Sequence, residues 1–148
     1  MDRGAAFGDL SVTLTDAPDP ALRDVIIAIF QAEAEAKGIV RDFRPLAVEV
    51  KRDGVMLGGL WGRTGRGWLH VELLALPRSE QGTGLGTRLL EMAEAEALSR
   101  GCKGAFLNTI QFQAPEFYRQ RGYTEIGRIP DDPASLDRIW FVKRFARP

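Results

Sequence analysis

Three glycines stand close together in one short segment and point to a site for a charged ligand. Gly82, Gly84 and Gly86 alternate with larger residues within residues 81–90. Having no side chains, they let the backbone approach a ligand closely. The apolar residues that follow have helical spacing, so the unbonded amides and the positive dipole end of a helix would face that ligand. The segment therefore predicts a binding site for a phosphate or diphosphate.

A short run of side chains elsewhere offers groups for proton transfer. Residues 68–76 alternate as a strand would, which separates a polar face from an apolar face: Trp68, His70 and Glu72 against Leu69, Val71 and Leu73. His70 is the only histidine, and an imidazole has an ordinary pKa near about 6.5. The polar face is either an ordinary, partly exposed strand face or the place of a general base.

Composition excludes several classes of protein. The chain has 148 residues, and its 20 basic and 20 acidic residues cancel, which argues against a nucleic-acid-binding surface. Cys102 is the only cysteine, so no internal disulfide or cysteine-rich metal site is expected, and we expect Cys102 to be buried as a small apolar residue. No apolar run reaches the length of about 20 residues that a membrane span needs, so we expect a cytoplasmic protein without a metal or membrane partner.

The surrounding elements must hold these groups in place. We predict a loose tail over residues 1–9 and one domain over 10–148. Asp19 and Pro20 mark a helix start, and Gly54 and Gly67 mark hairpin turns. The predicted order is β-α-β-β-β-α-β-α-β-β, beginning with a strand at residues 10–15. This order indicates an α/β (α+β) fold, in which helices flank a mixed, mostly antiparallel sheet of about six to seven strands.

The kind of phosphate ligand is open from the glycines alone. A P-loop needs a lysine after its last glycine, and none follows Gly86. A dinucleotide fingerprint needs the spacing GxGxxG in a βαβ unit, whereas Gly82, Gly84 and Gly86 follow an antiparallel meander. A connector that binds nothing is the remaining alternative, although three glycines would then cost helix stability without a reason.

Two motifs resemble those of the GNAT N-acetyltransferase superfamily. Gln81, Gly84 and Gly86 fit the pattern Q/R-x-x-G-x-G/A of its diphosphate loop. Residues 114–123 fit its second motif, A-x-x-F-Y-x-x-x-G-F/Y, and the resemblance extends over residues 12–145. Where the family often has an asparagine facing the pantetheine arm, this chain has Gln111.

The resemblance implies the GNAT fold and an enzyme that moves the acetyl group of acetyl-coenzyme A directly to a primary amine in a ternary complex. It also implies that one strand pairs with the pantetheine arm, that the glycine loop holds the diphosphate, and that Arg78, Arg88 or Arg121 supplies further positive charge. The implied cofactor-binding residues are Leu74, Ala75, Leu76, Gln81, Gly82, Thr83, Gly84, Leu85, Gly86, Thr87, Gln111, Ala114, Phe117 and Tyr118.

The resemblance also suggests which residues transfer protons. Tyr118 stands at the family's tyrosine position, where it either protonates the leaving thiolate or packs beside the cofactor sulfur. Glu72 stands two residues before the cofactor-pairing stretch, where many members have an acidic residue that acts through water. The base is then Glu72, His70 or water alone.

The acceptor and the partners are less constrained. The resemblance implies a small-molecule or peptide amine, and Asp131 and Asp132 either attract a cationic acceptor or lie in a solvated loop. A non-catalytic acyl-coenzyme A sensor of the same fold is the alternative function. A homodimer supported by the last strand, residues 139–145, is also possible.

Overall fold

The structure, a computed structural model, describes residues 7–110 and 114–146. The chain divides into two units, Met1–Val40 and Arg41–Pro148. The prediction of one domain over residues 10–148 stays a prediction. Among the described residues, none of the helices combines the length and the apolar character that a membrane crossing requires.

The first unit contains helix α1, Pro20–Ala36, which begins where the sequence predicted. The Asp19 carboxylate accepts a hydrogen bond from the Ala21 amide at 2.9 Å, and Pro20 occupies the first helical position. The predicted strand at residues 10–15 is wrong, since residues 11–15 have no regular structure and Leu10 forms only an isolated bridge with Phe7. Alternation of apolar and polar residues defines two faces, but a strand also needs a neighbour to share its hydrogen bonds.

The second unit is built on one six-stranded sheet. The strands are β1 Arg44–Arg52, β2 Val55–Gly65, β3 Trp68–Ala75, β4 Gly104–Ile110, β5 Thr124–Ile129 and β6 Arg138–Arg144. Their order in the sheet is β1-β2-β3-β4-β6-β5, and all neighbouring strands are antiparallel except β3 and β4. Helix α2, Leu85–Ser99, makes the crossover between these two strands, and helix α3, Pro115–Gln120, follows β4.

The core lies between α2 and one face of the sheet. The apolar stripe predicted for α2 is confirmed, because Leu89, Leu90, Ala93 and Ala97 are all buried. Cys102 is buried with them, as predicted for an unpaired cysteine. The sheet contributes its own buried apolar side chains, which include Leu69, Val71, Leu107, Ile139 and Phe141. This packing fixes the start of α2 beside the ends of β3 and β4.

Strand β3 carries a bulge that changes which side chains face the core. Gly62 of β2 pairs with Val71 and Trp61 pairs with Leu73, so Glu72 is the extra residue. Beyond the bulge the alternation shifts by one position, and Leu74 packs against the core while Leu73 is 68% exposed. The prediction that Leu73 shares the core face of Leu69 and Val71 is therefore wrong.

Strands β3 and β4 pair over a short length and then separate. The last paired residues are His70 and Phe106, although both strands continue for several residues. On its other side β3 stays paired with β2 as far as Ala75. The separation leaves a gap in the middle of the sheet, at the end where α2 begins.

The last strand does not lie at an edge of the sheet. Strand β6 pairs with β4 on one side and with β5 on the other. It therefore offers no unpaired edge to a second copy of the chain. The homodimer stays a prediction, but pairing through the last strand is not its basis.

Candidate functional site

The gap between β3 and β4 opens into a groove of about 860 Å³. One wall is the end of β3, including its bulge, and the other wall is the end of β4. The glycine loop, the first turn of α2 and helix α3 complete the lining. A cavity of this size accommodates an extended small-molecule ligand.

The β3 wall presents backbone groups that no neighbouring strand uses. Leu74 and Ala75 pair with Leu60 and Gly59 of β2, whereas the edge of β3 that faces β4 has no strand partner beyond His70. Unpaired backbone amides and carbonyls next to a cavity favour a ligand that supplies amide groups in return. An extended ligand with amide groups can therefore lie along β3 as an additional strand.

The start of α2 is open to a ligand. Gly84 is the N-cap, it has a φ of 84°, and no side chain bonds to the first-turn amides. Gly82 also has a positive φ, 75°, and a Cβ at either glycine would meet nothing within 4 Å. Glycine is therefore favoured at both positions because it adopts the left-handed backbone conformation readily, and not because a side chain would clash with a neighbour. The free amides and the helix dipole form the predicted anion site.

Arg121 brings a positive charge to this anion site. Its Nε and Nη2 atoms donate to the Thr87 hydroxyl oxygen at 2.9 and 2.6 Å, and its guanidinium lies 5.0 Å from the centre of the Phe117 ring. Because the Thr87 oxygen accepts both bonds, its own O–H can donate into the groove. Arg121 lines the groove, and neither Arg78 nor Arg88 does. The sequence did not rank the three arginines as sources of positive charge for the site, whereas the tertiary structure places only Arg121 in the lining of the groove.

Two residues predicted to bind the cofactor hold the loop itself. The Gln81 side-chain amide donates to the Leu76 carbonyl at 3.0 Å, and the Thr83 hydroxyl donates to the Glu80 carbonyl at 3.1 Å. Gln81 still lines the groove, whereas Thr83 does not. Leu85 is also outside the lining, because its side chain packs against the core.

Tyr118 lies in the groove on α3, at the second of the two adjacent aromatic positions of the second motif. The side chain is only 8% exposed and packs against the rings of Phe117, Tyr123 and Phe141. Burial raises the pKa of Tyr118 to about 12, because the phenolate loses its hydration. The phenol therefore stays protonated through the working range of pH and serves as a hydrogen-bond donor.

Glu72 and His70 have different positions, although both belong to β3. Glu72 lines the groove, and its Oε1 lies 3.3 Å from Nε of Arg63 and 3.9 Å from Nδ1 of His70. His70 stacks on Phe106 at 4.5 Å and does not line the groove. Burial lowers the pKa of His70, the Arg63 charge lowers it further, and Glu72 opposes both. His70 is therefore neutral at pH 7.

Most of the predicted site residues come together in this groove. Those that line it are Glu72, Leu74, Ala75, Leu76, Gln81, Gly82, Gly84, Gly86, Thr87, Ala114, Phe117 and Tyr118. Gln111 lies outside the described residues. The β4 wall is lined by three residues that were not predicted from the sequence: Leu107, Asn108 and Thr109. The sequence feature that could have indicated these three residues was their position at the end of the strand that precedes the second motif.

The acidic pair after β5 has local partners. The Asp131 amide donates to Asp137 Oδ1 at 2.7 Å, and the Asp132 amide donates to Asp131 Oδ1 at 2.7 Å. Asp137 also accepts from Arg128 at 3.0 Å. Neither Asp131 nor Asp132 lines the groove. Among the described residues, moreover, no group of three or more His, Cys, Asp or Glu side chains is arranged to hold a metal ion.

Comparison with known proteins gives a consistent family. Residues 14–123 match the acetyltransferase (GNAT) family. Acetyltransferase Atu2258 of Agrobacterium fabrum is 36% identical, covering 92% of this chain and 100% of that protein. Blasticidin-S acetyltransferase of Streptomyces morookaense is 38% identical, covering 88% and 93%. A crystal structure assigned to an acetyltransferase of Agrobacterium tumefaciens has a TM-score of 0.84 at 35% identity, covering 92% and 100%.

A more distant structural neighbour was solved with a bound ligand. A streptothricin acetyltransferase assigned in Bacillus anthracis was solved in complex with acetyl-coenzyme A. It has a TM-score of 0.59 at 16% identity and covers 68% of this chain and 62% of that one. At this identity the likeness shows the fold alone. That structure shows that one protein with this fold holds acetyl-coenzyme A, a ligand with amide groups in its arm and a diphosphate at its end.

Replacing Arg121 tests the anion site. Arg121→Gln should raise the Kd for coenzyme A by about tenfold or more, because a charge-assisted contact contributes roughly 1.5–3 kcal/mol. Arg88→Gln, at an exposed position on α2, removes the same charge outside the groove and should leave the Kd nearly unchanged. Isothermal titration of each variant measures this, and equal effects of both substitutions would contradict the assignment.

Proposed function

This chain belongs to the acetyltransferase (GNAT) family, and from that membership we propose that the groove between β3 and β4 carries acetyl transfer to a primary amine. The enzyme is an acetyl-coenzyme A-dependent N-acetyltransferase. The observation that supports this use of the groove is the continuous path from the unpaired edge of β3 to the open N-terminus of α2. That path matches an elongated ligand with amides in its arm and a diphosphate at its end.

The chain's own groups would hold the cofactor in two places. The backbone of Leu74, Ala75 and Leu76 would pair with the amides of the pantetheine arm. The amides after Gly84, the Thr87 hydroxyl and the Arg121 guanidinium would surround the diphosphate. Bound acetyl-coenzyme A supplies a thioester, whose carbon–sulfur bond breaks as the acceptor nitrogen forms its bond to the acetyl carbon.

Glu72 is the proposed base. It lies at the bulge of β3, where the groove begins, and lines the groove directly. There its carboxylate would bind the ammonium of the acceptor and take a proton from it, directly or through water. The Arg63 side chain at 3.3 Å orients the carboxylate. His70 stacks on Phe106 and does not line the groove, and its Nδ1 lies 3.9 Å from Glu72 Oε1, beyond hydrogen-bond distance.

Tyr118 is the proposed donor to the leaving sulfur. Burial raises the pKa of an acid whose deprotonated form is an anion, because the anion loses its hydration. This holds for the phenol of Tyr118 and for the thiol of the leaving group. A thiolate formed in the groove is therefore a stronger base than a thiolate in water. The protonated Tyr118 would stabilise that developing charge by hydrogen bonding and deliver the proton as the sulfur leaves.

The relatives suggest where to look for the acceptor. The Streptomyces morookaense relative is named for acetylation of blasticidin S, so we propose this antibiotic as the first acceptor to test beside simple amines and peptides. A cytoplasmic location remains part of the proposal, in line with the unpaired and buried Cys102.

An acceptor screen tests the proposed use of the groove. Purified enzyme, acetyl-coenzyme A and a panel of amines that includes blasticidin S should release free thiol with at least one acceptor. Mass spectrometry should find one acetyl group on the acceptor nitrogen. Tight coenzyme A binding without thiol release from any acceptor would instead favour a sensor.

Removing the Tyr118 hydroxyl tests its role in the reaction. Tyr118→Phe should lower kcat by roughly 10²–10⁴, the usual contribution of a positioned acid, with little change in coenzyme A affinity. Tyr123→Phe is the matched control, since Tyr123 is equally buried but bonds to Glu94 outside the groove. A decrease in kcat below about threefold for Tyr118→Phe would exclude a role as acid.

The pH dependence of the rate distinguishes the two candidate bases. With Glu72 as base, Glu72→Gln should abolish the acidic limb of the kcat/KM profile, whereas His70→Ala should retain it. The lowered pKa of His70 places its protonation below about pH 6.5, so His70 as base would give an acidic limb that only His70→Ala removes. That second result would exclude Glu72.

A further inference from the structure

The two walls of the groove carry different polar side chains just beyond the last paired residues of β3 and β4. His70 and Phe106 are that pair, and two residues further along each strand stand Glu72 and Asn108. Both side chains belong to residues that line the groove. At this end of the groove the β3 wall therefore presents a carboxylate, and the β4 wall presents an amide.

The orientation of the Asn108 amide is determined by its neighbour on β6. Arg138 Nη1 donates to Asn108 Oδ1 at 2.8 Å, and a guanidinium can only donate. The side-chain oxygen of Asn108 must therefore face Arg138. Its NH₂ group is directed away from Arg138, and the positive charge behind it strengthens it as a donor.

Two arginines contact the side chains at this end of the groove. Arg63 lies 3.3 Å from Glu72, and Arg138 donates to Asn108, although neither arginine lines the groove. His70 adds no charge at neutral pH, because burial lowers its pKa. Asp131 and Asp132, which the sequence offered as attractants for a cation, do not line the groove either. The Arg138 charge next to the Asn108 amide favours an acceptor with an anionic group at that wall.

We propose that Asn108, held by Arg138, receives a carboxylate of the acceptor while Glu72 receives its ammonium. The acceptor class is then an amino carboxylate, with the amine and the carboxylate spaced to span the two separated strands. This inference rests on the proposed function of the same groove. Paired strands lie about 4.8 Å apart and these two have separated, so the spacing favours a distal amine over an α-amine.

Matched acceptors test the proposal. Glycine, β-alanine, γ-aminobutyrate and ε-aminocaproate are each compared with their N-methylamides, which keep the amine and remove the negative charge. For at least one of the longer members, kcat/KM should exceed that of its methylamide by about tenfold or more, mainly through a lower KM. Equilibrium dialysis against the enzyme–coenzyme A complex should show the same preference in acceptor binding, independently of turnover.

Substitutions at Asn108 and Arg138 test whether these residues cause the preference for a carboxylate. Asn108→Asp keeps the side-chain shape but removes the donor, and it should reduce the carboxylate preference to about one. Arg138→Gln should reduce it severalfold, and Arg138→Lys should restore part of it. Arg144→Gln, the control, removes an exposed charge from the same strand and should leave the preference unchanged. The KM for acetyl-coenzyme A should stay constant throughout.

The outcomes separate this inference from the function on which it rests. A preference for methylamides or diamines in the unaltered enzyme, or a carboxylate preference that survives both Asn108→Asp and Arg138→Gln, would overturn the amino-carboxylate assignment while leaving acetyl transfer intact. Binding of coenzyme A without thiol release from any acceptor would instead overturn the proposed function.

Discussion

The separation of β3 from β4 after His70 and Phe106 is the constraint on which the site depends. A parallel pair in the middle of a sheet normally continues to the strand ends, because unpaired backbone groups are costly when they lose water. Here the pairing stops while β2 continues to hold β3 on its other side. The open edge of β3 thereby keeps its strand geometry, and a ligand with its own amides can complete the sheet.

A chain without net charge binds an anionic cofactor by concentrating positive charge locally. The 20 basic and 20 acidic residues cancel, but α2 directs unbonded amides toward the groove and Arg121 adds a guanidinium beside Thr87. At the opposite end, Arg63 and Arg138 orient Glu72 and Asn108. Arginine suits both tasks, because its planar array of donors fixes the group that it contacts.

Burial sets the protonation states that the proposed reaction needs. Loss of hydration disfavours a charged group whatever its sign, so it raises the pKa of Tyr118 to about 12 and lowers that of His70. Tyr118 consequently remains a donor and His70 remains neutral. Glu72 stays at the groove surface, beside Arg63, where a carboxylate can meet a charged amine.

The sequence by itself determined the local features: the glycine loop, the stripe of α2, the turn at Gly54 and the motif around Tyr118. Each depends on residues close together in the chain, whose conformational preferences act locally. Tertiary structure decided what depends on partners far apart in the chain. Residues 11–15 form no strand, because no neighbouring strand pairs with them. The bulge at Glu72 moves Leu73 to the other face of β3, and of the three candidate arginines only Arg121 contacts Thr87 at the groove. Tertiary structure also joined Asn108 to Arg138 across two strands, because pairing and charge contacts form only when distant segments meet.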